Sequence, residues 1–252
     1  MAAPKLAQVT IELVFESHST TVDNEQGRAT GWLPGKLSDQ GRIQARDLGN
    51  RRRDDGIAAV FSSDLHRAVE TVSIAFGGSE VPVLYDWRLR ECDYGQSNGM
   101  PAAELHRGRA EHLDQPYPEG ESWRQAVTRV GRFLGDLPLR WDGRRVLVVG
   151  HVATWWGLDH FIGGATLEDL AVQDAAWRPG RVYRLGCQSG LRSGLPACDR
   201  DRRPCVWPQV LRSGVRQAAS GLGGGVPAAA GQDWTAAISS ASGARACGQA
   251  SE

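Results

Sequence analysis

Short apolar runs alternate with helical patterns over the first 185 residues, and this alternation limits the folds available to the chain. The strand-like runs cover residues 9–16, 58–62, 81–85, 145–150 and 181–185. Between them, apolar residues recur at helical spacing, which predicts helices over residues 38–53, 64–76, 122–141 and 153–162. Strands that alternate with helices favour a mostly parallel sheet covered on both faces. We therefore predict an α/β fold, a three-layer α/β/α sandwich with a mostly parallel central sheet.

The pattern ends near residue 186, and a segment of different composition follows. Residues 186–252 are rich in Gly, Ala, Ser and Arg and contain no Phe, Tyr or Met. Such a segment cannot bury enough apolar surface to offset the loss of chain entropy on folding. We predict one domain over residues 1–185 and a disordered tail over residues 186–252. The tail also fits an out-of-frame product of a GC-rich gene, an interpretation that peptide mass spectrometry of the native protein would test.

Charge, hydropathy and cysteine spacing argue against several classes of partner. The chain has 29 basic and 29 acidic residues, so it lacks the excess positive charge of nucleic-acid-binding proteins. No apolar run is long enough to span a bilayer, and the N-terminus lacks the apolar core of a signal peptide. The five cysteines show no metal-ligand spacing. We expect a cytoplasmic protein without nucleic acid, membrane or metal as partner, and the sequence leaves the oligomeric state open.

Two histidines directly follow predicted strands. His18 follows the first strand and His151 the fourth, and the carboxyl ends of strands line the ligand crevice in open α/β sheets. Asn24, Arg67 and Glu91 also lie at predicted strand ends or loop starts. These side chains match the needs of phosphoryl transfer from a monoester, which are a nucleophile, cationic donors for the phosphoryl oxygens and an acid for the leaving oxygen. They are therefore candidate site residues.

Each candidate also has a structural interpretation. A strand-end histidine can satisfy its hydrogen bonds within the fold, and an arginine at a helix start is usually exposed. The acid could also be Glu16, Asp93 or Glu121, which lie near predicted loops. Taken one by one, these residues leave both interpretations open.

Several motifs occur in a fixed order along the predicted domain. They are Glu16–Thr21 with Asn24, Gly31–Trp32, Leu37–Ala45, Ser63–Thr71, Leu89–Gly95, Gly120–Ser122 and Val149–His151. Each motif alone is weak evidence. Together and in this order they resemble the histidine phosphatase superfamily, also called the phosphoglycerate-mutase-like family, over residues 9–185.

This resemblance implies a role for each candidate. His18 would accept the phosphoryl group as nucleophile, and Glu91 would protonate the leaving group. Arg67 and His151 would hold the phosphoryl oxygens, with Asn24 as a lesser contact. The resemblance also implies an α/β/α sandwich, a small phosphorylated substrate, and neither a metal nor an organic cofactor.

The chain departs from the family at Ser17, where the family has an arginine before the nucleophile. The change removes a charge-assisted donor, worth about 1.5–3 kcal/mol in binding. Loss of one transition-state donor slows chemistry roughly 100- to 1,000-fold. Arg28 is the candidate replacement for the missing cation. Alternatively, the domain binds phosphorylated ligands and turns over weakly or not at all.

The segment after Glu91 bears on the choice between hydrolysis and mutase activity. Residues 100–118 form a short stretch that contains Arg107 and Arg109 but lacks the paired-arginine pattern of the family's mutases. We therefore predict a phosphomonoester hydrolase that forms a phosphohistidine on a small phosphorylated metabolite. Phosphoglycerate-mutase-type transfer and a weakly active or inactive ligand-binding module are the alternatives.

Overall fold

A five-stranded sheet forms the centre of the fold in the computed structural model, which describes residues 10–173 and 180–186. The strands are β1 (Thr10–Ser17), β2 (Ala59–Ser62), β3 (Val83–Tyr85), β4 (Arg145–Gly150) and β5 (Arg181–Gly186). Their order across the sheet is β3-β2-β4-β1-β5. Strands β1 to β4 run parallel, and β5 pairs antiparallel with β1 at one edge. The prediction of a mostly parallel sheet is confirmed.

Helices connect the strands, and several of them begin at a polar residue whose side chain caps the helix. They are α1 (Val22–Glu25), α2 (Asp39–Arg52), α3 (His66–Phe76), α4 (Ala102–Gly108), α5 (Trp123–Asp136), α6 (Val152–Phe161) and α7 (Leu167–Val172). Short 3₁₀ helices occupy residues 87–89, 95–97, 109–112 and 137–139. The Ser38 side chain accepts from the Gly41 N–H at the start of α2, and Ser122 accepts from the Gln125 N–H at the start of α5. These bonds satisfy donors that lack partners within a helix, and they set where both helices begin.

The sheet carries an apolar cluster on each face. Side chains alternate between the faces along a strand, so β1, β2 and β4 each contribute to both clusters. One face packs Val14, Val60, Leu147 and Val149 against residues of α2 and α3, among them Leu48 and Val72. The other face packs Leu13, Phe15, Phe61, Val146 and Val148 against residues of α5 and α6, among them Val130 and Trp156. The predicted three-layer sandwich is confirmed.

Helix α5 and strand β3 are shorter than their apolar patterns predicted, and in each a proline stands at the boundary. Helix α5 ends at Asp136 rather than Trp141 because Pro138 has no N–H for a helical bond and clashes with the preceding turn. The apolar spacing continues past this end because Trp141 still packs edge-on against Phe61, with 5.5 Å between ring centroids. Strand β3 begins only after Pro82, at Val83 rather than Val81.

The remaining predictions on organisation are only partly covered by the structure. The predicted tail lies outside the described residues, apart from Gly186 at the end of β5. The boundary near residue 186 therefore stays a prediction. In residues 10–173, no helix combines the length and apolar character needed to cross a membrane.

Candidate active site

Strands β1 and β4 bring the two predicted site histidines together. They are parallel neighbours, and Ser17 pairs in register with Gly150 at their carboxyl ends. The His18 backbone N–H donates to the Gly150 carbonyl at 3.0 Å. The rings of His18 and His151 lie 4.9 Å apart, centroid to centroid, at an angle of 50°. The strand register therefore fixes both imidazoles at one edge of the sheet.

Arg67, in the first turn of α3, lies between the two rings. Its Nε is 3.2 Å from His18 Nε2, and its Nη2 is 3.1 Å from His151 Nδ1. Nη2 also donates to the Gly31 carbonyl at 2.9 Å. The side chain is buried, and among the described residues no carboxylate forms an ion pair with it. Burial lowers the pKa of Arg67, although the negative charge of Glu91 acts against this shift.

The hydrogen bonds assign the proton on each imidazole. Nδ1 of His18 lies 2.8 Å from the Ser19 carbonyl oxygen, which can only accept, so Nδ1 carries the proton. Nε2 of His18 therefore has a lone pair, which accepts from Arg67 Nε. Nδ1 of His151 faces a guanidinium, which can only donate, so its proton lies on Nε2. His18 thus offers a lone pair and His151 an N–H donor.

The surroundings keep both rings neutral at neutral pH. Burial and the charge of Arg67 lower the pKa of His18 from 6.5 to about 3. Burial, Arg67 and the neighbouring His18 place the pKa of His151 well below its ordinary value. Only the neutral imidazole has the lone pair that a nucleophile needs, and its single N–H can still donate a hydrogen bond.

Two buried donors at this place lack acceptors. Nη1 of Arg67 and Nε2 of His151 have no hydrogen-bond partner among the described residues. Leaving a buried donor unsatisfied costs about 1–3 kcal/mol. The oxygens of a bound anion would satisfy both donors. The cluster therefore has the chemistry of an oxyanion site beside a nitrogen lone pair, which Arg67 Nε contacts in this structure.

The carboxylate of Glu91 lies at the start of α6, the helix that follows His151. Its Oε1 accepts from the N–H groups of Cys92 and Ala153, both at 3.0 Å, and its Oε2 accepts from the Val152 N–H at 3.3 Å. The N-terminus of a helix favours a negative group, because its first N–H groups point outward. His151 is the N-cap of the same helix, so α6 positions both side chains.

The other carboxylates near the site are held by structural partners. Buried Glu16 accepts from Arg52 at 2.8 Å, and Glu121 forms a bidentate pair with Arg129. Asp93 accepts from the backbone N–H of Gly95 and from a nearby amide side chain. Glu91 differs from these three acids because its carboxylate binds the start of the helix that carries His151.

The structure gives Asn24 and Arg28 other partners. Oδ1 of Asn24 accepts from the Thr21 N–H at 3.0 Å, because the two residues form the capping box of α1. The exposed Arg28 donates from Nη1 to the Gly99 carbonyl at 3.0 Å. In the described part, neither side chain hydrogen-bonds to His18, Arg67 or His151. Their roles as pocket contacts stay predictions. Ser17 is half-buried at the end of β1, and the effect of a serine at this position on turnover also stays a prediction.

Two further side chains support Glu91 and were not predicted. Nε1 of Trp32 donates to the Glu91 carbonyl at 2.6 Å, and Arg129 donates to the same oxygen at 2.7 Å. Trp32 belongs to the Gly-Trp motif, which marked the residue in the sequence but did not predict what it contacts. Arg129 could have been found from its position, because it lies on the buried face of α5 with Ala126 and Val130. A buried arginine on such a face indicates a specific acceptor set.

Within residues 10–173 and 180–186, no group of three or more His, Cys, Asp or Glu side chains is arranged to hold an ion.

Comparison with protein families gives a match over most of the chain. Residues 13–190 match the histidine phosphatase superfamily, branch 1. The 2,3-bisphosphoglycerate-dependent phosphoglycerate mutase of Methylobacterium radiotolerans is 31% identical over 199 residues, covering 72% of this chain and 92% of the relative. The enzyme of the same name from Neisseria meningitidis serogroup C is 28% identical over 215 residues, covering 69% and 95%.

Solved structures share the fold at lower identity. Bacillus stearothermophilus YhfR is similar with a TM-score of 0.60 and 24% identity, and the match covers 75% of this chain and 100% of YhfR. A mycobacterial glucosyl-3-phosphoglycerate phosphatase has a TM-score of 0.57 and 22% identity, covering 66% and 86%. The α-ribazole phosphatase of Shigella flexneri has a TM-score of 0.55 and 24% identity, covering 63% and 83%. The predicted resemblance is confirmed: the chain belongs to the histidine phosphatase superfamily.

Proposed function

We propose that this protein hydrolyses a phosphomonoester of a small metabolite through a phosphohistidine on His18. One observation carries the proposal: a nitrogen lone pair and two buried donors without acceptors meet at one place. The lone pair belongs to His18 Nε2, and the donors are Arg67 Nη1 and His151 Nε2. A phosphoryl group complements this set, because its oxygens accept hydrogen bonds and its phosphorus accepts the lone pair.

In the first step, Nε2 of His18 attacks phosphorus and the ester P–O bond breaks. Arg67 Nε–H, which contacts Nε2 in the free protein, moves to a phosphoryl oxygen, and the two buried donors bind the others. Glu91, as the carboxylic acid, gives its proton to the leaving oxygen, so an alcohol departs. The Ser19 carbonyl holds the Nδ1 proton and stabilises the positive charge that the ring of His18 acquires.

In the second step, water attacks phosphorus and the P–N bond breaks. The Glu91 carboxylate takes the proton of the water, and His18 returns to the neutral ring. Inorganic phosphate then leaves. The cycle consumes one water and releases one alcohol, and every group returns to its starting protonation.

The segment after Glu91 favours hydrolysis over mutase activity. Arg107 donates from Nε to the Ala103 carbonyl at 3.3 Å. Arg109 is buried against the rings of Trp123 and Trp156, 5.4 Å from each centroid. Neither is half of an adjacent pair of arginines of the kind that a mutase uses to hold a second phosphate.

Phosphoglycerate mutase activity is the second candidate, and its support is the sequence. Proteins with that name are 28–31% identical to this chain over most of their length. A phospho-ligand-binding module with little turnover is the third, and its support is the serine at position 17.

Phosphate release from a panel of phosphomonoesters tests the proposal. The wild-type protein should release phosphate and His18→Ala should not, and equal rates in both would contradict the assignment of the nucleophile. A radioactive phosphate donor should leave an acid-labile, base-stable label on the wild type. A mutase would instead isomerise 3-phosphoglycerate after priming with the bisphosphate, and a binder would take up no label.

A further inference from the structure

We propose that Arg129 is a positioning residue for Glu91, and that it acts by fixing the backbone from which the proton donor projects. This inference rests on the proposed function, because it assigns a part in the protonation of the leaving group. Arg129 itself lies on α5 and touches neither His18 nor His151 in the described part of the chain.

Every N–H group of Arg129 has an acceptor. Nε and Nη2 donate to the two carboxylate oxygens of Glu121 at 2.9 and 2.8 Å. Nη1 donates to the carbonyls of Arg88 and Arg90 at 2.8 and 2.7 Å, and Nη2 also donates to the Glu91 carbonyl at 2.7 Å. Since arginine has five N–H donors, these bonds use all of them. The side chain is 4% exposed, so water does not compete.

The carbonyls of Arg88, Arg90 and Glu91 converge on this one guanidinium. These three bonds constrain the backbone of residues 88–91, the short segment that ends at Glu91. The Trp32 indole donates to the Glu91 carbonyl from another side at 2.6 Å. The carbonyl of Glu91 is therefore held by α5 and by the loop that contains Trp32, while its carboxylate is held by α6.

Glu121 anchors the guanidinium and extends the support by one residue. Its Oε2 accepts from the Asp93 N–H at 3.2 Å, just beyond Glu91 and Cys92. Its side chain is 20% exposed, so the pair with Arg129 is largely desolvated. Removing one member of such a pair leaves an uncompensated charge, which is strongly destabilising. A conservative change is therefore the informative one.

The position of the donor matters because a general acid acts only within hydrogen-bond reach of the leaving oxygen. A shift of about 1 Å from a change remote from the chemistry can cost roughly 100-fold in rate. The loss depends on the leaving group. Nitrophenolate is a stable anion and leaves without a proton, whereas an alkoxide needs one. A misplaced Glu91 should therefore slow alkyl phosphates more than nitrophenyl phosphate.

The test compares Arg129→Lys with wild type on nitrophenyl phosphate and on an alkyl phosphate. Lysine keeps the charge beside Glu121 but cannot serve the three carbonyls. We expect kcat/KM for the alkyl phosphate to fall at least about tenfold more than kcat/KM for nitrophenyl phosphate, within the range that general acid catalysis contributes. The readout is kcat/KM because it reports the first step, in which the alcohol leaves, whereas kcat also contains the second step, which both substrates share. Arg132→Lys is the matched control, because Arg132 lies on the same helix and is exposed; it should leave the ratio of the two rates unchanged.

A second variant and a double variant guard against a trivial result. Glu121→Asp keeps the charge beside Arg129 but shortens the side chain by one methylene, and it should change the ratio in the same direction by less. In a Glu91→Gln background, Arg129→Lys should cause no further discrimination between the substrates. Equal losses of kcat/KM on both substrates, or no loss, would overturn the inference while His18-dependent hydrolysis stands. Absence of His18-dependent hydrolysis in the wild type would overturn the proposed function and this inference with it.

Discussion

Arg67 sets the chemical character of both histidines through its hydrogen bonds. It donates to His18 Nε2 and faces His151 Nδ1, and its charge helps to keep both rings neutral. Together with the Ser19 carbonyl, this buried arginine determines that His18 offers a lone pair and His151 a proton. The cost is a guanidinium with one nitrogen, Nη1, left without an acceptor in the described residues.

The depressed pKa of His18 makes a prediction about stability. The ring titrates at 6.5 when unfolded and at about 3 when folded, so between these values the unfolded chain binds more protons. Stability therefore falls as pH falls below 6.5. From pH 7 to pH 5 the loss due to His18 is at most about 2 kcal/mol. Urea unfolding should show a smaller loss in His18→Gln, whereas the exposed control His66→Gln should match the wild type.

The replacement of the missing family arginine by Arg28 makes a second prediction. If Arg28 swings from the Gly99 carbonyl to the bound phosphoryl group, Arg28→Ala should lower kcat/KM by roughly 100-fold, as for loss of one transition-state donor. The exposed Arg46→Ala should have no such effect. Ser17→Arg should restore activity to Arg28→Ala. A loss no larger than that of the control would refute compensation and favour the weakly active alternative.

Helix α6 and the loop before α2 are the elements that assemble the site. The start of α6 carries His151 as N-cap and binds the Glu91 carboxylate through its first N–H groups. The loop supplies the Gly31 carbonyl to Arg67 and the Trp32 indole to Glu91. Both elements work through backbone groups, so their conformation matters as much as their side chains.

Gly31 makes a prediction about this loop. Its φ of +55° lies in the left-handed region, and a Cβ there would overlap the Asn98 side-chain oxygen. Gly31→Ala should lower stability by about 1–3 kcal/mol and reduce turnover, because the carbonyl that holds Arg67 must shift. Gly27→Ala is the matched control, since Gly27 has a φ of +67° but open space around it. Denaturant unfolding and phosphate release measure both, and equal effects would refute the role of the overlap.

At the scale of the whole molecule, the proposed oxyanion site links ligand binding to folding. Inorganic phosphate, a product of the proposed reaction, should bind the folded protein and not the unfolded chain, so at ten times its Kd we expect it to add about 1.4 kcal/mol of stability. The rise in Tm should vanish in Arg67→Met, which removes the central donors. Chloride at equal ionic strength controls for screening. An equal rise of Tm in Arg67→Met would mean that phosphate binds elsewhere. The measurement reports binding alone, so it does not require the protein to turn over a substrate.

The fold class followed from local patterns in the sequence. Apolar runs and helical spacing predicted the parallel sheet and both helical layers, because alternation and periodicity act over a few residues. The same logic placed His18 and His151 beyond strand ends. It failed at Trp141, where side-chain packing continues past the end of the helix.

The site's inner chemistry depends on contacts between residues far apart in the chain. Arg67 reaches His18 across 49 positions and His151 across 84, and these bonds assign the protons. Arg129 reaches the Glu91 carbonyl across 38 positions. A sequence pattern records which side chains follow a strand, but packing in three dimensions sets which atoms meet. Local chemistry therefore determined the fold class and the placement of the histidines, and long-range hydrogen bonding determined their tautomers and the support of Glu91.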